Sequence, residues 1–136
     1  MKKIICIGVM LLAMVLPAAG QIPVINSVIK NFTAPGVSAA IATAGYTEIT
    51  YGITVANINT NVVVQCQIKQ KGLGWSSAEV VNGVPTAMTI TANGTVYRSW
   101  KFASTVDSAR VSFDSETGGT SATITSKMML AKTPSR

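Results

Sequence analysis

The residue types that most often carry catalysis are scarce in this sequence. Its 136 residues include no histidine, which excludes Ser-His-Asp and Cys-His catalysis and any histidine-ligated metal site. The two cysteines, Cys6 and Cys66, are too few for a four-thiolate metal centre. Cys66 also has no histidine to act as its base, which argues against a nucleophilic role.

The carboxylates offer little more chemistry. Hydrolysis of a glycosidic bond needs two of them at a defined separation, which spacing along the chain does not supply. Three of them flank one predicted strand, but calcium takes about six to eight oxygens and the sequence has no Asp-rich loop. We therefore predict no catalytic residue, no metal site and no cofactor, and a protein that is not an enzyme. The five carboxylates are Glu48, Glu79, Asp107, Asp114 and Glu116.

Residues 1–20 have the plan of a secretory signal peptide. Lys2 and Lys3 precede a thirteen-residue apolar run that ends at Leu16, and small residues follow at 17–20, in the order typical of such peptides. The run is shorter than the roughly 20 residues that a transmembrane helix needs. A retained apolar helix, serving as an anchor or a filament core, is the alternative. We predict a secreted protein that is extracellular or at the cell surface. Its export route includes transit through a periplasm as an option, and after cleavage of the signal peptide it has no membrane contact.

Cleavage also weakens the case for nucleic-acid binding. The formal net charge falls from +6 to +4, because Lys2 and Lys3 leave with the signal peptide. The remaining basic residues never form a run of three, whereas phosphate-tracking surfaces usually carry a basic stripe with interleaved aromatic residues. Segment 97–101 approaches that pattern, but in a strand its side chains alternate between two faces. We predict no nucleic-acid partner.

The mature region has the composition of an all-β protein. It contains 23 Val and Ile residues against two Leu, and 16 Thr, and β-branched side chains suit a pleated sheet. Turn signals recur at the spacing of a sandwich or barrel. We predict one antiparallel β-sandwich at 36–130, of immunoglobulin-like or jelly-roll type with about eight strands, followed by a tail at 131–136. The predicted strands lie near 37–43, 46–56, 62–70, 75–81, 84–91, 95–103, 109–114 and 120–129.

Alternation along these strands predicts which side chains face the core. Asn82-Gly83 predicts a type I′ hairpin, and Asn93-Gly94 predicts a second hairpin. Arg98 is the odd member of an otherwise apolar face, which predicts a position near a sheet edge. Cys66 alternates with valines and is expected to be buried, the alternative being a disulfide between two chains. The predicted core sets are Ile49, Tyr51, Ile53 and Val55; Val62, Val64, Cys66 and Ile68; Val84, Thr86, Met88 and Ile90; Val96, Trp100 and Phe102; and Val111, Phe113, Ala122, Ile124 and Ser126.

Residues 21–35 form an apolar segment between the signal peptide and the first firm strand. Its β-branched residues and Pro23 favour an extended arm over a short helix. Such an arm either completes its own sandwich or inserts head-to-tail into a neighbouring subunit, which would build a filament. The hypothesised subunit contacts are Ile22, Val24, Val28 and Ile29.

Two functions agree with these features. The first is a secreted, non-enzymatic structural subunit of an extracellular assembly, a fimbria-like filament (pilus) or a surface layer, whose partners are copies of itself. The order of signal peptide, arm and sandwich resembles that of fimbrial subunits. The alternative is a monomeric secreted module for adhesion or recognition, which binds a surface glycan or a surface partner through exposed aromatic side chains. Its candidate ligand contacts are Trp75, Tyr97 and Trp100, although Trp100 also suits the core.

Overall fold

The computed structural model describes residues 25–102 and 105–132, with side chains from Asn31 onward. All regular secondary structure in these ranges is β-strand. The described residues therefore include no helix long and apolar enough to cross a membrane. The signal peptide, Ile22, Val24 and residues 133–136 lie outside the described residues. The strands are β1 (Ile25–Phe32), β2 (Gly36–Val37), β3 (Ile41–Ala42), β4 (Glu48–Ala56), β5 (Asn61–Gln70), β6 (Trp75–Ser77), β7 (Val80–Val81), β8 (Val84–Pro85), β9 (Met88–Ile90), β10 (Gly94–Lys101), β11 (Val106–Thr117) and β12 (Thr123–Ala131).

Two antiparallel sheets form a sandwich, as the sequence predicts. Sheet A has the strand order β1-β12-β4-β10. In sheet B, β11 lies between β5 and the short strands β2 and β3, while β6 and β9 both pair with the other edge of β5. The short strands β7 and β8 form a separate hairpin.

The pairing of the strands is nested. The outermost pair along the chain is β1 with β12, and inside it come β2 and β3 with β11, then β4 with β10, and finally β5 with β6 and β9. Successive pairs alternate between sheet B and sheet A. A long antiparallel ribbon rolled up in this way is a jelly roll, which decides between the two sandwich types that the sequence leaves open.

The core lies between the inner faces of the two sheets. The predicted set on β4 is fully buried, and so are Val62, Val64 and Cys66 on β5, whereas Ile68 near the end of β5 is only half-buried. The set on β11, β12 and the residue before β12 is buried as well, with Ser126 at 0% exposure. Alternation locates these residues correctly because each long strand has one face toward the other sheet. The β4 set is Ile49, Tyr51, Ile53 and Val55, and the last set is Val111, Phe113, Ala122, Ile124 and Ser126.

The region from β6 to β9 departs from the prediction of two long paired strands. Asn82 and Gly83 do form a tight turn with positive φ of 52° and 80°, but the hairpin around it has only two residues in each strand. Val84 is 62% exposed and does not face the core, although Met88 and Ile90 do. The reason is that β8 and β9 are separate strands: β8 pairs with β7, and β9 pairs with β5 in sheet B.

The predicted hairpin at Asn93-Gly94 is wrong. The chain leaves sheet B after β9 and enters sheet A at β10, so these two strands do not pair with each other. The side chain of Asn93 accepts a hydrogen bond from the amide of Ile58 at 3.0 Å, and Gly94 has a φ of 139°. Asn-Gly therefore marks a crossing between sheets, where its conformational freedom is equally useful. β10 forms an edge of sheet A, and Arg98 on it is exposed, as predicted.

β1 forms the opposite edge of sheet A. It pairs with β12 of its own chain along its length, with a register break between Val28 and Lys30. Phe32 at its end is 1% exposed and packs edge-to-face on Phe113, with ring centroids 6.2 Å apart. Of the four hypothesised subunit contacts, Val28 and Ile29 thus belong to a strand of the chain's own sandwich. Their use by a neighbouring subunit stays a prediction.

Candidate binding surfaces

Cys66 is the cysteine within the described residues, and its thiol is not available for chemistry at neutral pH. It is free and 2% exposed, and burial together with the nearby charge of Glu79 raises the pKa of the thiol to about 12. A nucleophilic cysteine needs the opposite shift, because the thiolate is the reactive form. Cys66 is therefore a core residue, as the alternation of β5 predicts.

Two of the carboxylates near β11, those of Asp114 and Glu116, are engaged in local structure. Asp114 accepts hydrogen bonds from the Gln65 amide at 2.7 Å and the Ser112 hydroxyl at 2.5 Å. Glu116 accepts from the Asn59 side chain at 3.2 Å and from a backbone amide in the β11–β12 turn. Within the described ranges, no three acidic or cysteine side chains come together in a way that could hold a metal ion.

The most exposed aromatic side chain lies on the outer face of sheet A. Tyr97 on β10 is 68% exposed and stands directly opposite Gly52 on β4, which in turn stands opposite Lys127 on β12. Because Gly52 has no side chain, the Cδ1–Cε1 edge of the tyrosine ring lies over its α-carbon, where an added Cβ would be only 3.1 Å from Cε1. We call Tyr97, Gly52 and Lys127 the tyrosine row.

Hydroxyl groups flank the tyrosine row on both sides. Thr50 and Ser99 share a hydrogen bond of 2.7 Å on one side, and Thr54 and Thr95 share one of 2.8 Å on the other. A hydroxyl has one donor hydrogen and two acceptor lone pairs. Each pair of hydroxyls has two donor hydrogens and uses one of them in the hydrogen bond between its two members. The other hydrogen of each pair can be donated to a ligand. The row itself borders a shallow cavity of about 230 Å³.

Trp75 lies on the other sheet. It is half-buried on β6, and the guanidinium carbon of Arg110 on β11 stacks over its ring at 4.1 Å from the centroid. Arg110 also donates from Nε to the side-chain oxygen of Gln67 at 2.7 Å. Gln67 then donates to Gln65 at 3.0 Å, which donates to Asp114. The outer face of sheet B thus carries a chain of oriented amides between a cation and an anion.

A cleft of about 410 Å³ adjoins Trp75. Its apolar lining comes from Ile68 on β5, Leu73 in the β5–β6 turn, Trp75 itself and Val80 on β7. Leu73 and Val80 are 62% and 56% exposed. We call this the tryptophan cleft.

The three aromatic candidates do not form one site. Trp100 is half-buried and packs against the core, with its ring edge-to-face on Tyr51 at 5.5 Å. Tyr97 and Trp75 lie on different sheets. Sequence reasoning named both but missed Gly52, Lys127 and Arg110 as their partners. An isolated glycine within a strongly alternating strand was the available signal for Gly52, because it often marks a close approach.

Fold and surfaces together define the class of the protein: a jelly-roll β-sandwich with two separate aromatic surfaces. No protein-family profile matches the sequence, and no curated protein is significantly similar to it. Among solved structures it resembles the SPBc2 prophage-derived protein YomS, with a TM-score of 0.57 and 10% identity over 82% of this chain and 95% of that chain. At this identity the resemblance shows the fold alone.

Proposed function

We propose that the protein is a secreted, non-enzymatic recognition module that binds carbohydrate on the outer face of sheet A. The observation that carries this proposal is the tyrosine row. An exposed aromatic ring offers an apolar surface to the C–H face of a sugar, and nearby hydroxyls and a lysine supply polar contacts. Jelly rolls include both lectin and capsid domains, so the fold does not choose the function and the site must.

The chemistry of the row fits a sugar in three ways. Tyr97 is 68% exposed, so most of its side chain is open to a ligand. The Thr50–Ser99 and Thr54–Thr95 pairs lie two residues away along β4 and β10 in either direction, roughly 7 Å from the row on each side, which suits contacts to the neighbouring units of an oligosaccharide. Lys127 adds donors on the third strand and favours sugars that carry an acidic group.

A glycan array with both neutral and acidic oligosaccharides tests the proposal, followed by calorimetry with the tightest member. Tyr97→Ala should lower affinity at least about tenfold, because stacking on an aromatic ring is lost. Tyr97→Phe keeps the ring and should retain most of the affinity. Trp75→Ala, on the other sheet, should leave binding unchanged. A flat response across the array, or equal binding by the Tyr97→Ala variant, would overturn the assignment.

The second candidate is a structural subunit of an extracellular assembly, favoured by the two edges of sheet A. Both β1 and β10 are eight residues long, and each pairs along one side only in the sheet. They run in opposite directions, so β10 of one copy beside β1 of the next would continue an antiparallel sheet head-to-tail. The arm residues Ile22 and Val24 precede β1 and would extend such a contact.

Negative-stain microscopy of the secreted protein tests this second candidate. If the edges join copies, filaments should form at high concentration, and replacing Ile22 and Val24 by Asp should reduce their length. Val37→Asp is the matched control, because it introduces the same charge at an exposed valine on β2 of sheet B, away from both edges of sheet A. Protein that stays free of filaments at every concentration would rule this candidate out.

A further inference from the structure

Exposed apolar side chains concentrate at one place on the molecule. Seven large hydrophobic residues in the described ranges are exposed, and four of them lie in the β5–β6 turn and the β7–β8 hairpin. These positions are normally polar in a soluble domain, and a cluster of exposed apolar residues usually marks an interaction surface. The four are Leu73, Val80, Val81 and Val84, with exposures of 62%, 56%, 50% and 62%.

The β7–β8 hairpin is apolar on both of its faces. Val81 pairs with Val84, and Val80 pairs with Pro85, and neighbouring residues in a strand point to opposite faces. A hairpin with two residues in each strand is too short to be stable by itself. Its base is held by a hydrogen bond from the Thr86 amide to the Glu79 carbonyl oxygen at 2.8 Å and one from the Ser77 hydroxyl to the Thr86 carbonyl oxygen at 2.6 Å. The fold thus fixes an apolar projection that it does not cover.

The tryptophan cleft lies directly beside this projection. Val80 belongs to both, because it is part of β7 and also lines the cleft with Leu73 and Trp75. Arg110 stacked on Trp75 restrains the ring that forms one wall. One copy of the chain therefore carries an apolar projection and an apolar depression side by side.

We propose that this surface is the interface of a two-fold dimer, in which the β7–β8 hairpin of each copy enters the tryptophan cleft of the other. A two-fold interface requires a surface that complements itself, and adjacent projection and depression meet that requirement. The charges agree: Lys71 lies in the turn that borders the cleft and Glu79 at the base of the hairpin. Docking brings each Glu79 toward Lys71 of the other copy. Trp75, which lines the cleft, is of a residue type that often dominates interface energetics.

Sedimentation velocity over a wide range of protein concentration tests the dimer. The wild-type chain should pass from monomer to dimer as concentration rises. Val81→Glu and Val84→Glu, both at exposed positions and so without cost to the fold, should each weaken dimerisation at least about tenfold. Val37→Glu is the matched control, because this valine on β2 is also exposed, at 46%, but lies at the other edge of sheet B. It should leave the dimer intact.

A charge reversal makes the test specific to the proposed geometry. Lys71→Glu alone should weaken the dimer, and adding Glu79→Lys should restore it, because the two charges meet across the interface. Two results would overturn the proposal: a monomer at every concentration, or self-association that is insensitive to Val84→Glu. So would a monomer that pellets with anionic lipid vesicles through Val81 and Val84, since the occupant would then be a membrane surface. Glycan binding by the tyrosine row should be unaffected by Val84→Glu, so this inference and the proposed function fail independently.

Discussion

Arg110 on β11 lies with its guanidinium carbon 4.1 Å from the centre of the Trp75 ring on β6, reaching across β5 between them. The same side chain donates to Gln67 on β5. One residue thereby ties together three strands on the outer face of sheet B, and it also restrains the ring that lines the tryptophan cleft.

Replacement of Arg110 by Leu should lower the free energy of unfolding by about 1–2 kcal/mol. It removes a cation–π contact of about 0.5–1 kcal/mol and a hydrogen bond from a charged donor. Urea denaturation followed by tryptophan fluorescence measures the change. Arg98→Leu is the control, because Arg98 is exposed and its guanidinium donates to the backbone carbonyl of its neighbour Tyr97. Equal losses in both variants would show that the stacking on Trp75 does not contribute to stability.

Phe32→Ala should be one of the most damaging single changes, costing about 3–5 kcal/mol as other buried Phe→Ala substitutions do. Phe32 ends β1 and packs on Phe113 in the core. Thermal and urea denaturation would measure the loss, with Met129→Ala, at a 38% exposed position, as the control. A small effect of Phe32→Ala would mean that β1 adds little to its own sandwich and would strengthen the hypothesis of an arm that serves a neighbour.

Gly52→Ala should separate binding from folding. The new methyl group would lie 3.1 Å from Cε1 of Tyr97, so the exposed ring must shift, while the free energy of unfolding should stay within about 0.5 kcal/mol. We expect weaker binding of the oligosaccharide selected on the array. Gly74→Ala is the matched control, since a Cβ there meets no atom within 4 Å. Unchanged affinity in Gly52→Ala would argue that the position of the Tyr97 ring does not matter for binding.

The protein should lose stability in alkali. Burial raises the pKa of Cys66 from 9.0 to about 12, so the unfolded chain releases this proton at lower pH than the folded chain does. The contribution of the thiol is complete below pH 9.0, and it is lost as pH rises toward 12 because the unfolded state is then favoured. Burial also raises the pKa of Tyr51, which acts in the same direction at higher pH.

Urea denaturation at a series of pH values from about 8 to about 11 checks this expectation. The free energy of unfolding should fall across the series in the wild-type chain and fall less steeply in Cys66→Ala, even though that variant is less stable at neutral pH. Identical slopes in the two proteins would contradict the assignment of the effect to Cys66.

The sequence by itself determined the fold class and most of the core. The β-branched residues and the strict alternation on β4, β5, β11 and β12 identify buried faces, because a strand in a two-layer sandwich has one side toward the other sheet. The burial of Ile49, Val64 and Ile124 follows from their neighbours along the chain alone. The edge position of Arg98 was predictable for a similar reason, since a charged side chain on an apolar face needs access to water.

Only the tertiary structure decided which strands pair and which residues lie opposite each other in the paired strands. The turn residues of Asn82-Gly83 and Asn93-Gly94 look alike in sequence, yet the first closes a hairpin and the second carries the chain from one sheet to the other. A turn signal fixes local backbone geometry but not the partner of the strand that follows, which is set by long-range packing. The tyrosine row depends on long-range packing in the same way. Tyr97, Gly52 and Lys127 lie side by side because of the strand order β10-β4-β12 and its register. No local pattern in the chain encodes that order.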